Sequence, residues 1–493
     1  MIRVILRFIE KFSLLLNSTE RQREKVSYAT FRRAANEVPA YQSFLLEKGV
    51  DKSQISSWSH VLEQVPPINK DNYLRRHTKP DLSFKRGSDF QIFTSTSGST
   101  GKPFYFSRTL ALDRQYSFLI EDFISQSTRG AEGPILVING FSMGVWIGGL
   151  ITYNAFEIAA GRMDVAVSII NPGINKSLII ESLKELSGDF RQTILIGYPP
   201  FVKDVLDDAI DLGLDLEEKN LRFIFAAESF SDSFRKRVCD MGGVRNSSVD
   251  TMNIYGSADL GAMAGETPLS IAIRELTSEN PSLFIRLFGQ ISKLPTLAQF
   301  NPAYINFDEI EGQLYVTGSN AMPLVKYQIG DEGGVIDFSA MMERLGDDNV
   351  ALSEILTQHG IVEYDRNPFV YVYERTDMAI SLYGLQIYPE HVKGALLSDD
   401  WHGYITGKFS METMYDNEDN QYLEIRVECR GREVGEQMKG RILSRIVEVL
   451  SLNNSEYKEL MKYLGSQAEP RLVFLEYENK KYFKPGIKQK WTI

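Results

Sequence analysis

The chain is 493 residues long, with 43% hydrophobic and 24% charged residues, ordinary globular values that exclude a disordered chain and a membrane-embedded one. Its formal net charge of −11 works against a nucleic-acid partner, which needs a positive field, and favours small molecules. The length exceeds a usual single domain, so a large domain followed by a smaller one is expected.

Residues 1–16 place Arg3, Arg7, Glu10 and Lys11 on one helical face. The stretch is too interrupted to span a membrane and lacks a small-residue cleavage site. An amphipathic helix fits, docked on the protein's own surface or on a second subunit of a homodimer, with peripheral membrane contact as the alternative. From Glu20 to about Leu82 the pattern is helical, with loops at Pro39 and Pro66-Pro67, and no chemistry is assigned there. Cys239, Cys429 and the five histidines lack disulfide or ligand spacing, which fits a reducing, cytoplasmic compartment.

The stretch Thr94 to Pro103 crowds hydroxyls and glycines between two β-like runs, Gln91 to Phe93 and Phe104 to Phe106, and reads as a strand–loop–strand hairpin. Glycines let backbone N–H groups approach a phosphate, hydroxyls add donors, and Lys102 adds a compact positive charge. A Walker loop needs four residues between its first glycine and Gly-Lys, then Ser or Thr. Here only Ser99 and Thr100 separate Gly98 from Gly101-Lys102, and Pro103 follows. The loop instead resembles the phosphate-binding signature of the adenylate-forming acyl- and aryl-CoA ligase superfamily. That resemblance implies phosphate contacts from Thr96, Ser97, Gly98, Ser99, Thr100, Gly101 and Lys102.

Ala111 to Ser127 has helical spacing, and Pro134 to Ile138 is a continuous apolar run, the mark of a strand covered on both faces. Further strands are expected at Val165 to Ile170, Thr193 to Gly197 and Leu221 to Ala226, with helices near Ser177 to Leu186 and Phe201 to Leu212. Alternation of strand and helix predicts a parallel sheet. Ligands of such sheets bind beyond the carboxyl ends of strands, where the loops Asn139 to Gly149, Gly197 to Pro200, Ala226 to Ser229 and Tyr255 to Gly261 fall.

Three later motifs extend the resemblance. Asn253-Ile254-Tyr255-Gly256-Ser257-Ala258-Asp259 is similar to the superfamily's Asn-x-Tyr-Gly-x-Thr-Glu, which implies Tyr255 stacked on adenine, Asn253 near its amino group and Asp259 as a Mg²⁺ ligand, with Gly256 and Ser257 in the same turn. Ala226-Ala227-Glu228 resembles the turn that borders adenine. Met322 to Asp331 is similar to Pro-Leu-Ile-Arg-Tyr-x-Thr-Gly-Asp and makes Asp331 the ribose ligand, with Lys326 where Arg is usual. Glu374 to Glu390 resembles the Gly-Arg-x-Asp-Asp motif, with Arg375 on ribose and phosphate and Asp377 as the hinge. A carboxylate offers two acceptors to a vicinal diol, and Asp remains a hard oxygen ligand suited to Mg²⁺.

Beyond the hinge, Tyr422 to Cys429 alternates as a strand, Met438, Ile442, Ile446 and Val449 line one helix face, and Arg471 to Tyr477 follows. The lysine-rich tail lies where the family places its catalytic lysine, here Lys488, with Lys490 and Lys484 behind it. The expected fold is therefore α/β: a large N-terminal adenylate-forming domain with mixed and parallel sheets, residues 1–376, binding ATP and carboxylate. A small mobile α+β lid, residues 377–493, carries the lysine.

Within the superfamily the chain looks most like the phenylacetate-CoA ligase branch and its capsule-biosynthesis-like relatives. Residues 265–307 hold no cysteine or histidine, so that branch's structural zinc is not expected. The resemblance implies an AMP-forming ligase using ATP and Mg²⁺, which activates an aryl or medium acyl acid in a pocket of Phe141, Trp146, Ile147 and Tyr198, with CoA as acceptor. Alternatives are a carrier-protein thiol or amine acceptor, and a catalytically degenerate nucleotide-binding protein.

Overall fold

The computed structural model describes residues 20–84, 92–95, 104–128, 132–141, 143, 147–227, 229–289, 295–373, 380–382, 385–416, 421–483 and 491–492. The expected N-terminal amphipathic helix lies outside them. The strands are β1 Ile92–Ser95, β2 Tyr105–Arg108, β3 Ile135–Asn139, β4 Val167–Ile170, β5 Gln192–Gly197, β6 Leu221–Ala226, β7 Thr251–Ser257, β8 Gly261–Gly265 and β9 Thr296–Gln299. They continue as β10 Ile305–Ile310, β11 Gln313–Gly318, β12 Leu324–Ile336, β13 Phe369–Val372, β14 Ile380–Leu382, β15 Leu385–Ile387, β16 Ile405–Tyr415, β17 Gln421–Cys429 and β18 Arg471–Leu475.

Among the described residues one sheet has eleven strands, in the order β10-β11-β12-β13-β9-β8-β7-β6-β5-β3-β4. β3 to β7 pair in parallel and the rest antiparallel. The sheet is therefore mixed. β5 shows why its middle reads as unbroken apolar sequence: Ile194 and Ile196 pack into one face's core and Leu195 into the opposite one. β6 divides likewise, with Ile224 on one face and Phe223 and Phe225 on the other. Each such side chain stabilises the fold by roughly 1.5–3 kcal/mol. β4, the edge, keeps a partly exposed pattern, as a strand with one neighbour can.

Helix starts follow local chemistry. Proline opens Pro199–Asp211, Pro268–Glu279, Pro281–Phe288 and Pro389–Leu396, where its missing N–H costs no helical bond. Thr267 and Ser270 form a reciprocal capping box at the second of these. The early helices Glu20–Glu37, Pro39–Glu47 and Trp58–Gln64 join the core beneath β10 to β12.

The C-terminal part builds its own core. Ile380, Phe409, Ile425, Ile442, Ile446, Leu450 and Trp491 bury one another around the sheet β16-β17-β18 and the helix Glu436–Asn453. No helix among the described residues is long and apolar enough to cross a membrane.

Candidate nucleotide site

The carboxyl ends of β3, β5, β6 and β7 lie side by side, with Asn139 opposite Ile196, Gly197 opposite Phe225 and Ala226 opposite Ile254. The expected loops thus leave one edge of the sheet together. At Gly140 a Cβ would meet the Ile196 carbonyl oxygen at 2.5 Å, so only glycine lets the chain leave β3 so close to β5. Ala227, just past β6, holds φ 73°, a conformation that costs a residue with a Cβ energy and clusters at ligand sites. Glu228 lies outside the described residues.

β7 delivers the central residues. Asn253 is buried in mid-strand, its N–H donating to Glu266 Oε2 at 3.0 Å and its carbonyl accepting from Glu266 N at 2.8 Å. Glu266 is itself clamped by Arg235 and Arg274, so the strand beneath the site is tied into a buried ion-pair network. The Tyr255 ring stacks on Phe307 at 5.8 Å, and its hydroxyl donates to Asp331 Oδ2 at 2.6 Å. Two motifs far apart in sequence therefore meet directly. Gly256 faces the Gly261 carbonyl so closely that a Cβ would sit 2.8 Å from it, and Ser257 Oγ accepts the Leu260 N–H, closing the turn into β8.

Asp259, the expected Mg²⁺ ligand, is 4% exposed. Its Oδ1 lies 3.3 Å from the Lys70 ammonium and its Oδ2 accepts from the Tyr327 hydroxyl at 2.8 Å. In this arrangement the carboxylate serves an ammonium and a hydroxyl, and a divalent cation there would have to displace the ammonium. Lys326, where the family usually has Arg, turns away from the crevice. Its ammonium donates to the Leu62 and Val65 carbonyls at 2.5 and 2.9 Å, closing the end of Trp58–Gln64, and burial pulls its pKa down.

The hairpin forms as expected, β1 antiparallel to β2, and Phe104 and Phe106 share a core with Leu260, the neighbour of Asp259. Lys79 stands 3.0 Å from the Phe104 ring centroid, where burial pushes its pKa down to about 8. Phe141 is buried and packs on Tyr198 at 5.2 Å, past the ends of β3 and β5. Trp491 O accepts from Met411 N at 2.7 Å. The Trp491 ring lies 4.9 Å from the Lys393 ammonium, which donates to Ser229 O at 3.0 Å beside the β6 turn. Residues Thr96 to Lys102, Trp146, Arg375, Asp377 and Lys488, and the Ile147 side chain, lie outside what the structure describes.

No family profile matches the chain. Among curated proteins, phenylacetate-coenzyme A ligase of Aromatoleum evansii is 23% identical over 313 residues, 63% of this chain and 64% of that protein. The match thus spans less than two thirds of the relative's length. Among solved structures, 2-hydroxyisobutyryl-CoA ligase in its postadenylation state with R3-HIB-AMP aligns with 96% of this chain and 89% of its own, at TM-score 0.66 and 14% identity. The chain has the adenylate-forming fold. An open conformation of the same ligase, with 2-HIB-AMP and CoA, covers 96% of this chain and 92% of its own at TM-score 0.54 and 13% identity.

Within the adenylate-forming fold, sequence reasoning missed Lys70 and Tyr327. Lys70 lies in a segment given no chemistry, and its signal is structural: Ile68 bridges Tyr327, with Ile68 N donating to Lys326 O at 3.3 Å and Gln328 N to Ile68 O at 2.9 Å. That bridge brings the next residues to Asp259.

Proposed function

We propose that this chain joins a carboxylic acid to ATP as an acyl-adenylate, releasing pyrophosphate, and then passes the acyl group to the thiol of CoA, releasing AMP. The observation that carries the reading is the 2.6 Å bond between Tyr255 and Asp331, which brings an aromatic ring and a carboxylate together in this fold. Tyr255 would stack on adenine, with Asn253 and Glu228 at its edge, and Asp331 would accept both ribose hydroxyls, joined by Arg375. Thr96 to Lys102 would hold the departing phosphates. Lys488 would offset charge on the α-phosphate while the carboxylate attacks. Residues 377–493 would then turn about Asp377 to admit the thiol. Phe141, Trp146, Ile147 and Tyr198 would give the acid an apolar wall, which favours aryl or medium acyl groups. CoA is taken as acceptor because both similar proteins are, by name, CoA ligases.

ATP–pyrophosphate exchange across a panel of carboxylic acids, with and without CoA, tests this. Acid-dependent exchange with thioester formation is expected. Exchange without thioester would move the acceptor to another thiol or an amine, and nucleotide binding without exchange would end the catalytic reading.

A further inference from the structure

We propose that Lys70 is a phosphate-binding residue of this site, its ammonium standing beside Asp259 where a divalent cation would otherwise sit. The inference rests on the adenylating reading for the identity of the anion, and on geometry for everything else.

Lys70 is held from two sides. Upstream, Ile68 is hydrogen-bonded to both neighbours of Tyr327. Downstream, Asn69 Oδ1 accepts the N–H groups of Asp71 and Asn72 at 3.0 and 2.8 Å, while Asn72 Oδ1 accepts Asn69 N at 2.7 Å. The backbone that carries the ammonium is therefore fixed. The Lys70 side chain is 30% exposed against 4% for Asp259, so the carboxylate is the buried partner and the lysine the more accessible one. An ammonium has three N–H donors. Asp259 takes one of them, which leaves donors that an anion can take.

The surroundings point to a nucleotide's phosphates. Tyr327, the other partner of Asp259, lies four residues before Asp331 on β12, at most about 13 Å along a strand, a distance that adenosine and its phosphates span. Asp331 and Tyr255 mark the ribose and adenine end. Lys70 and Asp259 mark the other. Lysine serves as a compact point charge toward phosphate, and Asp259 keeps that charge positioned when no ligand is bound. A metal ion brought to Asp259 would have to displace an ammonium already 3.3 Å away, which like-charge repulsion opposes.

The test uses the full chain with Lys70→Met, Lys70→Arg, Asp259→Asn and the pair Lys70→Met/Asp259→Asn, which leaves no carboxylate without its cation. Calorimetric titration with adenosine, AMP and ATP should show Lys70→Met weakening AMP and ATP by about tenfold or more, leaving adenosine unchanged, with Lys70→Arg partly restoring them. Mn²⁺ titration without nucleotide, read by electron paramagnetic resonance, should find no metal bound at this position in the wild type and a new site in Lys70→Met that Asp259→Asn abolishes. Unchanged AMP and ATP affinity in Lys70→Met, equal weakening of adenosine, or wild-type Mn²⁺ binding lost in Asp259→Asn overturns the inference. A wild type that binds no adenine nucleotide overturns the adenylating reading instead, and the Mn²⁺ arm still decides whether Lys70 keeps metal from Asp259.

Discussion

Carboxylates at the end of β7 and those along the helix Pro199–Asp211 are held in opposite ways. Near β7, Asp331 accepts from a tyrosine hydroxyl, and Asp259 accepts from a second one beside a partly exposed ammonium. On the helix, Asp204, Asp207, Asp208 and Asp211 share one face; Asp204, Asp207 and Asp211 meet side chains of the C-terminal part, and Asp208 is linked to it through Lys176. Lys408 binds Asp204, Arg430 lies 2.9 Å from Asp207 and 3.3 Å from Asp211, and His402 lies 3.1 Å from Asp207. Lys176 links Asp208 to Glu478 at 3.0 Å each, and bonds the Tyr477 hydroxyl. Neutral hydroxyls can be exchanged for a ligand at small cost, whereas buried ion pairs fix how two surfaces sit and are costly to break. In the bonds described, the first region meets its carboxylates with hydroxyls and one ammonium, and the second meets Asp204 and Asp207 with buried charge.

The comparison breaks most sharply at Lys408. Lys408→Met leaves Asp204 and the fully buried Glu428 without their shared cation, and urea unfolding should show a loss of about 3–5 kcal/mol. The double variant Lys408→Met/Asp204→Leu should recover part of it. A loss below about 0.5 kcal/mol would mean that charge does not hold this interface. The same contact predicts an alkaline effect. Burial disfavours the charged amine, but Asp204 and Glu428 outweigh it and leave the Lys408 pKa above the ordinary lysine value. Its stabilisation is therefore complete below that ordinary value, about 10.4, and is lost as pH rises through the folded-state value. Melting temperature followed upward from pH 10 should fall more steeply for the wild type than for Lys408→Met.

At the β7 corner the expected order reverses, with binding changing more than stability. Asp331→Ala should weaken ATP by about 3 kcal/mol, a hundredfold, if two ribose hydroxyls bond to the carboxylate. Calorimetry checks the affinity, and thermal unfolding of the same variant gives the stability cost of losing the bond to the Tyr255 hydroxyl. Lys326→Met tests a residue that belongs with the rigid region despite its place in a nucleotide motif. It strands the Leu62 and Val65 carbonyls, and chemical denaturation should show a cost of about 1–3 kcal/mol with ATP affinity unchanged.

These contrasts also explain what could be read in the chain. β3, β5 and β6 were legible because strands buried on both faces must be apolar throughout, and β4 from the alternation of strand and helix around it. Tyr255 and Asp331 were picked out by resemblance to family motifs, and the structure brings the two side chains together. The β9–β13 pair was not legible, because each is a four-residue strand whose partner lies far away in sequence. Lys70 was hidden for the same reason: only the pairing of Ile68 with Tyr327 brings it to Asp259. Lys326 carried the right charge in the right motif, yet positive φ and two orphan carbonyls turn it to another task. Charge can be read from sequence, but its direction depends on the backbone that holds it.

Tyr255→Phe has the smallest expected effect and separates two meanings of one bond. If the hydroxyl merely occupies Asp331 until ribose arrives, its removal costs the free protein the 2.6 Å bond, about 1 kcal/mol of stability. The ribose then no longer competes with it, and adenosine should bind more tightly, by less than about tenfold. The ring remains to stack on Phe307 and on adenine. If instead adenosine binding weakens by tenfold, the hydroxyl is itself a ligand contact, and the carboxylate must hold ribose and phenol at once. Thermal unfolding and adenosine titration of this single variant give the two numbers, and their opposite signs would place Tyr255 with the partners that are meant to be exchanged.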